Sequence, residues 1–148
     1  MKIDKILVPT DFSEHAERSY EQAIELAKLF KARIELLHVY DIPDFSSVYE
    51  ITFPDRFESG IREAALAKLE SLKQRATEEG IEISAHIAFG APERVITERA
   101  KEHDVDLIVI GTRGLGPVKH LLLGSVAERT IRHAPCSVFV VDDPERAA

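Results

Sequence analysis

Short runs of branched apolar residues alternate along this chain with segments whose apolar residues recur at helical spacing, and that alternation restricts it to few folds. Ile3, Ile6, Leu7 and Val8 make a run stopped by Pro9, as suits a buried strand. Ala16, Tyr20, Ala23, Ile24, Ala27 and Phe30 then share one helical stripe. Asp11 or Ser13 is placed to cap that helix, and Asp11 with Glu14 has the spacing of a capping box. Residues 33–40 give a second strand. Residues 41–54 carry Pro43, Pro54, two serines and three aromatics, and predict a long loop, a kind of segment that is uncommon unless it covers something.

Phe57, Ile61, Ala65, Leu69, Leu72 and Ala76 line one face of a longer helix that Gly80 ends. Residues 81–89 alternate as a strand. Pro92, after Gly90 and Ala91, opens a helix carrying Val95, Ile96 and Ala100. Leu107, Ile108, Val109 and Ile110 form the most apolar strand, residues 125–132 a last helix, and Ser137–Val141 a final strand. Five strands alternating with four helical segments predict an α/β fold, an open doubly wound five-stranded parallel sheet with helices on both faces. The chain has 148 residues and neither internal repeat nor linker, so the expectation is one domain over residues 1–142 with 143–148 a short flexible tail.

Lys and Arg total 19 against 26 Asp and Glu, a net charge of −7. That balance argues against broad binding to nucleic acid or to an anionic membrane, where neutralised phosphates supply most of the affinity. No stretch reaches the roughly 18 consecutive apolar residues of a membrane span, and the first residues turn charged too soon for a signal peptide. The expectation is a cytoplasmic protein without membrane insertion. A single cysteine, Cys136, cannot form an internal disulfide and reads as a buried, inert thiol at the start of a strand. The six histidines lack metal-ligand spacing, His38 reads as a hydrogen-bonded strand residue, and Glu78 with Glu79 as a solvated helix end.

In doubly wound sheets ligands bind beyond the carboxyl ends of the strands where the strand order reverses. If the first and fourth strands are neighbours there, the order is 3-2-1-4-5, and two loops meet. One is Pro9, Thr10 and Asp11. The other runs from Gly111 through Gly114 and Gly116 to Gly124 and Ser125. Glycine lets a backbone approach a ligand, and a helix opening at Ser125 offers free N–H groups and a positive dipole end to an anion. A phosphate-bearing ligand follows. Arg113, Lys119 and His120 either neutralise its charge or form a solvated face. The Walker pattern is absent because no lysine separates Gly124 from Ser125, and the dinucleotide fingerprint fails at Lys119. What stands is G-x2-G-x9-G-S, as Gly111, Gly114, Gly124 and Ser125.

With Ile6 through Ser13, Leu37-His38-Val39, Gly90-Ala91-Pro92 and Leu107 through Val141, this pattern resembles the universal stress protein family in its ATP-binding branch. The resemblance implies the order 3-2-1-4-5, with adenosine between the ends of the first and fourth strands and ATP, alone or with magnesium, as ligand. By analogy Pro9, Thr10, Asp11 and the backbone at Val39 contact the nucleoside, while Gly111, Gly114, Gly124, Ser125 and Val126 hold ribose and phosphates. The sequence departs from many relatives at Pro117, where they have glycine.

Three functional classes stay open: a nucleotide-dependent regulatory module of the stress response, a slow ATP hydrolase or phosphotransferase, and a nucleotide-independent module that binds an unidentified protein partner. No nucleophile with its base and no lysine clamp is visible, and phosphoryl transfer depends on such positioned charge. Ser137–Val141 would be an edge strand without charge, proline or glycine, lacking the usual guards against edge pairing, and it predicts a homodimer through that strand.

Overall fold

In the computed structural model, which describes residues 1–41, 55–113 and 123–142 (the backbone alone for 55–59), the apolar runs are strands and the striped segments helices. Their order is β1 (Lys5–Pro9), α1 (Glu14–Phe30), β2 (Arg33–Tyr40), α2 (Asp55–Glu78), β3 (Ile83–Phe89), α3 (Pro92–Glu102), β4 (Leu107–Gly111), α4 (Ser125–His133) and β5 (Ser137–Val141). The strands form one parallel sheet in the order β3-β2-β1-β4-β5, as the sequence predicts. Most of the expected loop, from residue 42 to 54, and the tail 143–148 lie outside the described residues.

Alternate residues of each strand face opposite ways, and both faces are covered. On one, Tyr20, Ala23, Ile24 and Ala27 of α1 with Leu69, Leu72 and Ala76 of α2 pack on Ile6, Val8, Ile34, Leu36 and Val109. On the other, Ile96 and Ala100 of α3 with Val126 of α4 pack on Leu7, Leu37, Ile108 and Ile110. Each Leu, Ile or Val among them removed from water contributes about 1.5–3 kcal/mol. The predicted stripes lose their ends to solvent: Phe30 and Ile61 are each 39% exposed. Cys136 is half-buried and burial, with the charge of Asp106, pushes its thiol up, in keeping with an inert thiol.

The ladders are unequal. β1 pairs with β2 along its whole length, from Lys5 opposite Arg33 to Pro9 opposite Leu37. β4 pairs with β5 as far as Gly111 opposite Val141. Between β1 and β4 the register comprises Ile6 opposite Leu107 and Leu7 opposite Ile108 and then stops. The two halves of the sheet therefore part beyond Leu7 and Ile108.

Three helix ends correct or extend the sequence reading. Ser13 caps α1, its Oγ accepting from Ala16 N–H at 3.1 Å, while Asp11 accepts from Ser13 N–H at 2.9 Å in a turn of its own, so no Asp11–Glu14 box forms. Gly124, not Ser125, caps α4, which leaves Ser125 as its first helical residue. Gly80 ends α2 at φ +80°, with Gly80 N–H bonded to Thr77 O and Ile81 N–H to Ala76 O, the pairing of a Schellman stop.

One residue breaks the apolar pattern of β2. Glu35, 7% exposed, stands between Ile34 and Leu36. Its carboxylate accepts from Arg99 Nε and His103 Nδ1, each at 3.1 Å, with Lys5 Nζ 3.8 Å away. Lys5 also donates to the His103 carbonyl. The cluster ties the far end of α3 to β1 and β2. Burial would raise the Glu35 carboxyl, but the hydrogen bonds from His103 and Arg99 outweigh it and hold the group below its ordinary value. Its stabilising contribution is thus complete above the usual Glu value of about 4.3 and is lost as pH falls through the lower folded value. Removing one partner of a buried charge cluster costs about 3–5 kcal/mol when water is excluded; partial access to Arg99 and His103 trims this to about 2–3 for Glu35→Gln. Unfolding free energies from urea denaturation of wild type and Glu35→Gln should differ by that amount at neutral pH and converge in acid. His86, held below its ordinary value by burial and then by Arg99, adds an acid-sensitive contribution of the same sign; the Glu35 charge opposes that lowering, so the contribution is larger in Glu35→Gln.

Candidate functional site

Where β1 and β4 part, a cavity of about 360 Å³ opens. The first wall is Pro9, Thr10 and Asp11 with Ala16 and Ser19 of α1. Leu37 and Val39 of β2, Pro92 and Ile96 of α3 and Ile110 of β4 make an apolar side, with Asp41 at its margin. The opposite end is Gly111, Thr112 and Arg113, then Gly124 and the first turn of α4, Ser125, Val126 and Ala127. The structure thus gathers Pro9, Thr10, Asp11, Val39, Gly111, Gly124, Ser125 and Val126 around one space. Gly114, Lys119 and His120 lie outside the described residues.

The turn after β1 is held from several sides. Thr10 N–H bonds to Leu37 O at 2.8 Å, extending the β1–β2 ladder by one residue. Thr10 Oγ1 accepts from Phe12 N–H at 3.1 Å. His38 Nδ1 lies 2.8 Å from Thr10 O, and because a carbonyl only accepts, this ring nitrogen carries the proton. Phe12 sits in the left-handed region at φ 64°, where a bulky residue is strained, and its ring rests 4.5 Å from that of His38. His38 therefore does more than fill the strand: it braces the turn from below.

On the other wall the glycines serve the chain itself. A Cβ on Gly111 would stand 3.2 Å from His15 O, a tight contact that would push the start of α1 away from β4 by a few tenths of an ångström. A Cβ on Gly124 would stand 3.2 Å from Thr112 O, the carbonyl that accepts Gly124 N–H at 2.6 Å. The Gly111 and Gly124 positions of the motif are close approaches of backbone to backbone. Their result is that α4 begins at the cavity with no side chain bonded to its cap. The leading N–H groups of a helix have no acceptor within it, and its dipole adds positive potential there. Thr112, 4% exposed, has a hydroxyl that finds no hydrogen-bond partner among the described residues.

Ala16, Ser19, Asp41, Pro92, Ile96 and Ile110 went unnamed as site residues in the sequence. Ile96 and Ile110 carry the same periodic signal as core residues, and nothing local separates a cavity wall from a core. Pro92 is visible as a helix opener, but its place at the cavity depends on how α3 crosses the sheet.

The chain resembles known proteins along nearly all of its length. The family model described as "Universal stress protein family" matches residues 2–142. The universal stress protein MJ0531 of Methanocaldococcus jannaschii is 34% identical over 142 residues, spanning 96% of this chain and 84% of that protein. Among solved structures, the protein MJ0577 superposes with a TM-score of 0.85 at 34% identity, covering 97% of this chain and 98% of that one. The universal stress protein of Archaeoglobus fulgidus in complex with dAMP superposes at 0.67 with 27% identity, covering 95% and 98%. With the sheet order, the glycine-flanked cavity and these likenesses together, the chain belongs to the universal stress protein family.

Proposed function

We propose that the cavity binds an adenine nucleotide, ATP alone or with magnesium, and that the protein is a nucleotide-dependent regulatory module of the stress response rather than an efficient enzyme. The observation that carries this reading is the start of α4, which no side chain caps among the described residues, opening on a cavity whose other side is apolar. A phosphate chain fits the polar end, over Gly111, Gly124, Ser125 and Val126; the expected contact at Gly114 lies outside the described residues. A base fits against Leu37, Ile96 and Ile110, beside the backbone of Val39, with Pro9, Thr10 and Asp11 along the nucleoside. The dAMP complex of the Archaeoglobus relative supports the class of ligand. Magnesium sites usually join one or two carboxylates to phosphate oxygens; Asp11 and Asp41 are the carboxylates lining this cavity.

The module would be one domain over residues 1–142, with 143–148 a tail, working in the cytoplasm, and its net charge of −7 speaks against nucleic acid as a partner. No described helix is long and apolar enough to cross a membrane. It would be a homodimer through Ser137–Val141. β5 is bonded on one side, to β4; Val138 and Val140 pack on the α3–α4 face and Val141 on the other, whereas Phe139 is 40% exposed.

Calorimetry should detect ATP binding, and ligand at about 100 times its Kd should stabilise the fold by about 2.7 kcal/mol. Gly124 is a poor place to test the site because bulk there strikes Thr112 O. Ser125→Asp is cleaner: a carboxylate at the first helical position favours the α4 dipole and keeps the fold, yet repels phosphate. It should weaken ATP binding about tenfold or more, with the melting temperature of the free protein unchanged or raised. Equal affinity in this variant would remove the phosphates from α4.

Turnover of ATP should stay far below the median enzyme's roughly 10 per second. Hydrolysis at that rate, lost in Ser125→Asp, would make the protein a hydrolase instead. Light scattering should give twice the chain mass at tens of micromolar, and Phe139→Lys, a charge on the open edge, should shift it toward monomer.

A further inference from the structure

Three hydrogen bonds hold N–H groups of the turn that follows β1. Thr10 N–H goes to Leu37 O, Phe12 N–H to Thr10 Oγ1 and Ser13 N–H to Asp11 Oδ1. None of the three sets the plane of the peptide between Thr10 and Asp11, the two residues of this turn that line the nucleotide cavity. A peptide unit is flat and turns as one body, so whatever holds Thr10 O also sets Asp11 N–H. His38 of β2 holds it, with Nδ1 donating to Thr10 O at 2.8 Å. The His38 ring is itself fixed from two sides. The Phe12 ring lies 4.5 Å from it, and Tyr40 meets it edge-on at 4.8 Å while donating its own hydroxyl to Ile61 O of α2 at 2.8 Å. Phe12, in the left-handed region at φ 64°, gains from that contact a support for a strained setting.

We propose that His38 is a positioning residue for the nucleotide, acting through the Thr10–Asp11 peptide without touching the ligand. Its sequence neighbours Leu37 and Val39 line the cavity and His38 does not, because alternate strand residues face opposite ways. The proposal rests on the nucleotide reading above. Without the Nδ1–H bond the peptide can rotate, and the cavity wall samples several settings. ATP must then order that wall as it binds, and its affinity falls by the fraction of molecules already in the competent setting. Position 38 thus serves two ends, a donor toward Thr10 O and a flat ring against Phe12, and the two can be separated.

His38→Phe keeps a ring against Phe12 and loses the donor. His38→Asn loses the ring and keeps a donor, since its amide nitrogen stands as many bonds from the backbone as Nδ1 does. Each full-length protein is titrated with ATP by calorimetry, well below its melting temperature. Affinity should be about tenfold weaker in His38→Phe and within about threefold of wild type in His38→Asn. Wild-type affinity in His38→Phe, or an equal loss in both variants, would overturn the proposal. A second readout needs no variant. At about pH 8, above the ordinary histidine value of roughly 6.5, imidazole nitrogen NMR of the wild type should show Nδ1 protonated and Nε2 bare. The opposite tautomer would leave Thr10 O without this donor and overturn the proposal even if His38→Phe failed to fold. Failure of ATP to bind the wild type is a separate outcome: it would overturn the nucleotide reading, and this proposal with it.

Discussion

Everything at the carboxyl edge of the sheet depends on where the β1–β4 ladder stops. β1 keeps its partner β2 through Pro9 and β4 keeps β5 through Gly111, but the central pair ends at Leu7 and Ile108. Parallel strands need long crossovers, and the reversal of winding direction at this pair sends α1 and α4 to opposite faces. The gap between them is thus a product of topology before any side chain is chosen. Residues around it come from β1, α1, β2, α3, β4 and α4, elements distant in sequence, and only the strand order brings them together.

The same topology explains why a charged cluster is tolerated in β2. Apolar residues of matching shape can be as stabilising as a buried ionic group, so stability alone does not account for Glu35 with Lys5, Arg99 and His103. Directional hydrogen bonds, unlike apolar contacts, select one setting of a helix on a sheet. Arg99 and His103 stand at one end of α3, and Pro92 and Ile96 toward the other end line the cavity. Fixing the first end fixes the wall at the second, about 1.5 Å of helix per residue away.

Much of this was legible in the sequence because burial on both sheet faces demands continuous branched apolar runs, and Ile6–Val8 and Leu107–Ile110 say so plainly. The register of helix starts was less legible. Asp11, Ser13 and Glu14 all carry capping chemistry, and the choice fell to Ser13 because Asp11 closes its own turn on Ser13 N–H. The stop of α1 had no sequence flag: Lys31, not glycine, takes the left-handed position at φ 57°, at a cost of about 1–2 kcal/mol that the packing of Ala27 and Ala32 outweighs. The site was half legible. Loop glycines and the Ser125 helix start stand out locally, whereas Ile96, Ile110 and Pro92 are indistinguishable from core until the helices are placed. Phe12 gave no signal at all, since a positive φ at a phenylalanine follows from the tight turn and not from the residue.

The two glycine contacts have a consequence for how such a site withstands change. At Gly111 and Gly124 the neighbours that would crowd a side chain are main-chain carbonyls, those of His15 and Thr112. Carbonyls survive any substitution of the residues that bear them. The crowding at the two glycines is accordingly insensitive to the side chains at His15 and Thr112, and a methyl at either glycine displaces backbone by a few tenths of an ångström. Drift among descendants of this chain can therefore change both of those side chains without relieving it, so the preference for glycine at the two positions outlasts its neighbours.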